Sequence, residues 1–200
     1  VVMIRDAGSG AHAAAVRAAS PALRHVIAME GPEKGELAYE TLLVANAPTL
    51  PDGEADMAYD DPCWFFHTSG TTGRPKAAML THGQMAFVVT SHLADLMPGL
   101  TERDASLVVA PLSHGAGIHA LAQVARGAVS VLTEAERLDP AEVWALVERH
   151  RVTNMFTVPT ILTALVRHPA VDARDHASLR HVIYAGAPMY AADQAEALAK

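Results

Sequence analysis

Four short apolar segments, at residues 106–112, 128–133, 154–158 and 181–184, recur along the second half of the chain with helix-like stretches between them. Strands that read as near-continuous apolar runs are buried on both faces. The intervening helices supply the crossovers that parallel strands require. The same pattern opens the chain. Strands are expected over residues 1–4 and 25–29, a helix near 12–19, and a second helix near 39–47. The implied fold class is α/β, with mostly parallel sheets flanked by helices.

Local signals punctuate this pattern. Asp139-Pro140-Ala141-Glu142 marks a helix start. Asp caps, Pro takes the first turn, and Glu142 is placed to reach back as in a capping box. Val143, Leu146 and Val147 then give that helix one apolar face. Further helices are expected over 82–97 and 114–126, and after Pro159 and Tyr190. Residues 48–62 are rich in Pro, Asp and Gly and read as a surface linker. They separate a leading α/β segment, 1–47, from a larger segment, 63–200.

The larger segment opens on an apolar strand at 63–68, followed by a run dense in hydroxyls and glycines: Thr68-Ser69-Gly70-Thr71-Thr72-Gly73-Arg74-Pro75-Lys76. Glycines let successive N–H groups turn toward one point, and such nests bind anions. Thr68, Ser69, Thr71 and Thr72 add hydroxyl donors, and Lys76 adds a mobile positive charge. A few of these residues alone would read as a solvated turn between strands. The whole run reads as a polyphosphate cradle. It is not a Walker A loop, which needs a lysine directly after its second glycine. Here Arg74-Pro75 intervenes, and Pro75 opposes smooth winding into a helix.

The run resembles the phosphate loop of the AMP-forming adenylating enzymes: acyl-CoA synthetases, firefly-type luciferases and peptide-synthetase adenylation domains. It departs from their pattern at His67, usually Tyr, and at Ala77, usually Gly. Further segments follow in the family's order. Met79-Leu80-Thr81-His82 resembles the passage from loop into the next helix. Pro111-Leu112-Ser113-His114, Val158-Pro159-Thr160-Ile161-Leu162, and Leu179-Arg180 followed by Gly186-Ala187-Pro188 resemble later family segments. The likeness runs from about Asp60 onward, and residues before it fit loosely.

The resemblance implies an acid–thiol ligase that activates a carboxylic acid, fatty or aryl, with ATP and passes the acyl group to coenzyme A. On this reading Thr68, Ser69, Gly70, Thr71, Thr72 and Gly73 cradle phosphates, and Lys76 and Thr71 assist catalysis. Gly186, Ala187 and Pro188 lie beside the adenine. His114 and Gly115 line the acyl pocket, where the small residues Gly115, Ala116 and Gly117 leave room for an acyl chain. Magnesium arrives with ATP, and its ligand is expected outside this segment. A homodimer is compatible with the family. Such enzymes are at least twice this length, so the chain is expected to be an internal piece of the large N-terminal domain. The small C-terminal domain and its catalytic lysine are expected elsewhere, and the piece alone is expected to be inactive. Two alternatives remain open: loading of a carrier protein, or a nucleotide-binding remnant without catalysis.

Composition narrows the field. Half the residues are hydrophobic and 18% are charged, enough apolar content for a sizeable core. A net charge of −7 without a basic cluster argues against a nucleic-acid partner. No apolar run has the length of a transmembrane segment, and a cytoplasmic location is the expectation. The single cysteine, Cys63, reads as a small core residue. His114 and His119 are five apart, which is not metal-ligand spacing on a helix, so no metal site is expected.

Overall fold

A computed structural model describes residues 1–45, 56–68, 73–135 and 137–200. The chain divides into two compact units, Val1–Asp56 and Met57–Lys200. Most of the linker expected at 48–62 lies outside the described residues.

The first unit is a small parallel sheet with helices. Strand β1 (Val2–Arg5) leads through a 3-10 turn, Ala7–Ser9, into helix α1 (Gly10–Ala19). Strand β2 (His25–Ala28), strand β3 (Leu37–Ala38) and helix α2 (Tyr39–Ala45) follow. The sheet order is β1-β2-β3, parallel throughout. Ala13, Leu23 and Val26 form the core, with Met3 and Val16 packed against it. β3 was not expected from the sequence. Arg5 holds the loop before it, donating to both carboxylate oxygens of Glu36 and to the Gly31 carbonyl.

The second unit begins with a hairpin. Strand β4 (Pro62–Thr68) pairs antiparallel with strand β5 (Lys76–Thr81). Helix α3 (His82–Ser91) follows and runs into a π-helical turn, His92–Leu96. Next come strand β6 (Ala105–Val108), helix α4 (Gly115–Arg126), strand β7 (Val129–Leu132) and helix α5 (Pro140–His150). Strand β8 (Asn154–Thr157), helices α6 (Pro159–Arg167) and α7 (Ala170–Ala173), strand β9 (His181–Tyr184) and helix α8 (Ala191–Leu198) complete the unit. The four later strands form a parallel sheet in the order β7-β6-β8-β9.

Alternation along the strands sorts side chains to two faces. Leu107 and Met155 join Val143, Trp144 and Val147 of α5 and Leu165 of α6 in the main core. Ser106 and Asn154, each one residue earlier, face α4 instead and bond to His119. The strand order reverses at β6. The chain goes to β7 on one side, then crosses back to β8 and β9 on the other. Connections from β6 and β8 therefore leave the sheet on opposite faces, which opens a crevice at their carboxyl ends.

Several expectations need correction. The strand expected over 106–112 stops at Val108. Pro111 has no N–H to give a ladder, and its carbonyl instead accepts from His114 N in a turn. Asp139 caps α5 as expected, accepting from Ala141 and Glu142 N. Glu142 does not close a capping box, because its carboxylate accepts from Glu134 N instead. Cys63 is exposed rather than in the core. It sits where the β4 register shifts, between Pro62 and Trp64.

A full capping box occurs at α3. Thr81 Oγ1 accepts from Gln84 N, and Gln84 Oε1 accepts from Thr81 N. Replacing Thr81 with Ala is expected to lower unfolding free energy by about 1 kcal/mol, read as a lower urea midpoint with unchanged slope. An unchanged midpoint would show that the cap contributes nothing. Among the described residues no helix is long and apolar enough to cross a membrane.

Candidate active site

The ends of the expected phosphate loop belong to the β4–β5 hairpin. Thr68 and Lys76 face each other as its last rung, so the two strands hold the ends of the loop. Ser69, Gly70, Thr71 and Thr72 lie outside the described residues. Gly73 has φ +76°, a conformation that L side chains rarely adopt. Both Thr68 and Lys76 are exposed. No ion pair to Lys76 is found among the described residues.

His114 stands at the N-cap of α4, yet its side chain makes no capping hydrogen bond. Its ring instead meets the Phe66 ring edge-on, with centroids 5.3 Å apart. Phe66 stacks on Trp64 at 5.2 Å. His67, Ser113 and His114 share a cleft of about 530 Å³ with Trp64, Phe65 and Pro111. Pro111, Ser113 and His114 of the family-like segment and the end of strand β4 thus border one space.

Gly115 and Gly117 are small because neighbours require it. A Cβ on Gly115 would lie 2.6 Å from Phe156 Cζ. One on Gly117 would lie 2.0 Å from the Leu112 carbonyl oxygen and 2.7 Å from Trp64 Cη2. A side chain at Gly115 would meet Phe156, and one at Gly117 would meet Trp64.

Gly186, Ala187 and Pro188 are exposed and follow β9 at the carboxyl edge of the sheet. Gly186 has φ +87°, and a Cβ there would touch Val158 Cγ1 at 3.7 Å, an ordinary contact. The backbone conformation, not crowding, calls for glycine. This turn does not line the His114 cleft. Tyr184 lines a separate groove of about 540 Å³ with Leu162, Val182 and Met189.

His119 lies one turn into α4, at 3% exposure. Its Nε2 is 2.8 Å from Asn154 Oδ1, 3.2 Å from Ser106 Oγ and 3.3 Å from Gln123 Nε2. The short contact to a carbonyl oxygen makes Nε2 the protonated nitrogen. Its Nδ1 is buried without a partner. Burial, aided by nearby His92, lowers its pKa from 6.5 to about 4 against the opposing hydrogen bond to Asn154. His119 therefore stays neutral and joins α4 to the sheet.

Among the described residues no group of three or more His, Cys, Asp or Glu is placed to hold a metal. The sequence reading gave no site role to Trp64, Phe66 or Phe156, and noted His67 only as a departure from the family pattern. Alternation along β4 was the available signal for Trp64 and Phe66. Phe156 has no local signal beyond being an aromatic in a buried strand.

Comparison with known proteins agrees with the arrangement. A family model described as AMP-binding enzyme matches residues 1–200. The chain belongs to this family. The match includes the residues before Asp60, where the sequence resemblance is loose. Among curated AMP-binding relatives, a feruloyl-CoA synthase from an Amycolatopsis species is 36% identical over 188 residues, covering 84% of this chain and 37% of its own length. 4-Coumarate–CoA ligase 5 of Oryza sativa subsp. japonica is 34% identical, covering 82% of this chain and 31% of its own. The chain thus spans less than half of either relative. The crystal structure of the anthranilate CoA ligase AuaEII in complex with anthranoyl-AMP superposes with a TM-score of 0.84 at 25% identity, covering 98% of this chain and 38% of that one. These likenesses confirm the α/β class with parallel sheets flanked by helices.

Proposed function

We propose that the full-length protein activates a carboxylic acid with ATP and transfers the acyl group to coenzyme A. In the first step a carboxylate oxygen bonds to the α-phosphorus of ATP. The bond from that phosphorus to the bridging oxygen breaks, and pyrophosphate leaves with the electron pair. In the second step the coenzyme A sulfur bonds to the acyl carbon, the thiol proton is lost, and AMP leaves. Carboxylates are poor electrophiles, and the mixed anhydride supplies the leaving group. The protein's task in the first step is orientation and charge neutralisation.

The single observation that carries this reading is the β4–β5 hairpin, which sets Thr68 opposite Lys76 at the two ends of the hydroxyl- and glycine-rich run. In the proposed roles, residues 68–73 hold the phosphates and Lys76 balances charge on the departing pyrophosphate. Thr71 contributes a hydroxyl to the same step. Gly186, Ala187 and Pro188 accept the adenine at the carboxyl edge, where ligands of such sheets bind. His114 and Gly115 border the acid. Magnesium would accompany ATP, and no residue is assigned to hold it. Coenzyme A is preferred over a carrier protein as acceptor because the relatives are CoA synthases and ligases by name.

The test is exchange of labelled pyrophosphate into ATP by the full-length protein with a panel of fatty and aryl acids. Exchange that depends on an added acid is expected. Tight ATP binding without exchange for any acid would leave nucleotide binding as the function.

A further inference from the structure

The cleft beside His114 contains a second imidazole. Residues from both faces of β4 line it, Trp64 on one face and Phe65 and His67 on the other. Pro111, Ser113 and His114 close it from the segment before α4. Among the described residues β4 pairs with β5 alone. The cleft therefore runs along the edge of β4 that β5 leaves open. Trp64, Phe65 and Pro111 make its walls largely apolar, and its polar side chains are His67, Ser113 and His114. No lysine or arginine lines it among the described residues.

His67 stands at the loop end of this cleft. It is the penultimate residue of β4, one position before Thr68, where the hydroxyl-rich run begins. Its ladder partner across the hairpin is Ala77, whose methyl group offers the ring no acceptor. His67 is exposed, and among the described residues its side chain makes no hydrogen bond or ion pair. The imidazole N–H is thus available to a ligand. An anion entering the cleft meets no lysine or arginine there, so directed N–H and O–H donors must hold it. The apolar walls suit the organic part of an acid, and the few donors suit its head group. A carboxylate held at His67 would lie beside the start of the phosphate run, the orientation that attack on the α-phosphorus needs.

We propose that His67 donates a hydrogen bond to the carboxylate of the substrate acid and holds it toward the phosphate run. This rests on the acid-activating reading above. His67 is one of the positions where this chain departs from the family pattern, so the contact belongs to this chain rather than to the shared loop.

The experiment compares the full-length protein with His67→Ala and His67→Gln. Calorimetric titration gives Kd for benzoate, cinnamate and octanoate and for the corresponding primary amides, each with and without α,β-methylene-ATP. Pyrophosphate exchange gives KM for the same acids, for ATP and for pyrophosphate. His67→Ala is expected to weaken binding of the carboxylates by about tenfold or more, the worth of a hydrogen bond to a charged group. The neutral amides should weaken much less, so the preference for carboxylate over amide shrinks. KM for the acid should rise while KM for ATP stays unchanged. His67→Gln keeps an N–H donor and should restore part of the carboxylate preference. Unchanged urea midpoints are expected in both variants, because the side chain is exposed.

Equal weakening of carboxylate and amide in His67→Ala would make His67 a wall of the cleft and overturn the proposal. A raised KM for ATP or pyrophosphate with carboxylate affinity intact would assign it to the phosphates and overturn it as well. If no acid supports exchange, the acid-activating reading falls by itself. The carboxylate-to-amide preference then still decides whether His67 holds a carboxylate, and absence of binding by any acid overturns both.

Discussion

Lys76→Ala is expected to slow acid-dependent pyrophosphate exchange in the full-length protein by about tenfold to a few hundredfold, the loss of one charge-assisted hydrogen bond worth roughly 1.5–3 kcal/mol. The structure explains why this lysine is suited to the role. It is the first residue of β5, paired with Thr68, so its backbone is anchored while its side chain is exposed. It is not engaged in an ion pair with any described residue. A lysine ammonium is a compact point charge on a flexible stem and can follow a departing pyrophosphate. A transition-state role should therefore lower kcat while leaving KM for ATP nearly unchanged. Arg74→Ala serves as the comparison, since Arg74 is an exposed cation two residues before Lys76 and is expected to have little effect. Equal rates for wild type and Lys76→Ala would reduce Lys76 to a surface charge.

The parallel sheet was legible because its strands are apolar, short and separated by clear helix starts. Asp139-Pro140 and Pro159 each mark one, and both helices begin there. The hairpin partner β5 was not legible. Lys76-Ala77-Ala78-Met79-Leu80 is made of helix-favouring residues, and a propensity reading carries it toward the next helix. Pairing with β4 overrides that preference, and Pro75 assists by disfavouring helical backbone before it. The order β7-β6-β8-β9 was equally hidden. Strand positions follow from hydrophobic pattern, but which strands are neighbours depends on which helix covers which face.

The candidate site divides in the same way. Local chemistry is readable, so the loop, His114 and the Gly186 turn stand out as motifs. Contacts across the fold are not. Gly115 reads only as a small residue, and nothing local shows that the ring of Phe156, 41 positions later in the chain, lies against it. Cys63 reads as core from its apolar neighbours. The register shift at the start of β4 places it outside.

Folding stability is expected to fall as pH drops from about 6.5 toward 4, and His119 should account for about 3 kcal/mol of that loss. In the folded protein, protonation would put an N–H on Nδ1, which is buried and has no acceptor. The unfolded chain accepts the same proton freely near pH 6.5. A folded pKa below the unfolded one means that the unfolded state binds more protons across this window. The neutral imidazole's contribution is complete above the unfolded value, erodes through the window, and is gone below about 4. Carboxylates such as Asp104 titrate lower. Burial raises its pKa, but the Thr101 N–H, Thr153 and Arg180 outweigh this and keep it below the usual value. The His119 loss should therefore come first on acidification. The decisive comparison is urea unfolding of wild type and His119→Gln across this range. The variant cannot titrate, although its amide can still donate to Asn154. It should start less stable at neutral pH and show a flatter decline. Parallel declines in the two proteins would mean that His119 protonates in the fold as easily as in the unfolded chain, and that the Ser106–His119–Asn154 knot tolerates the charge.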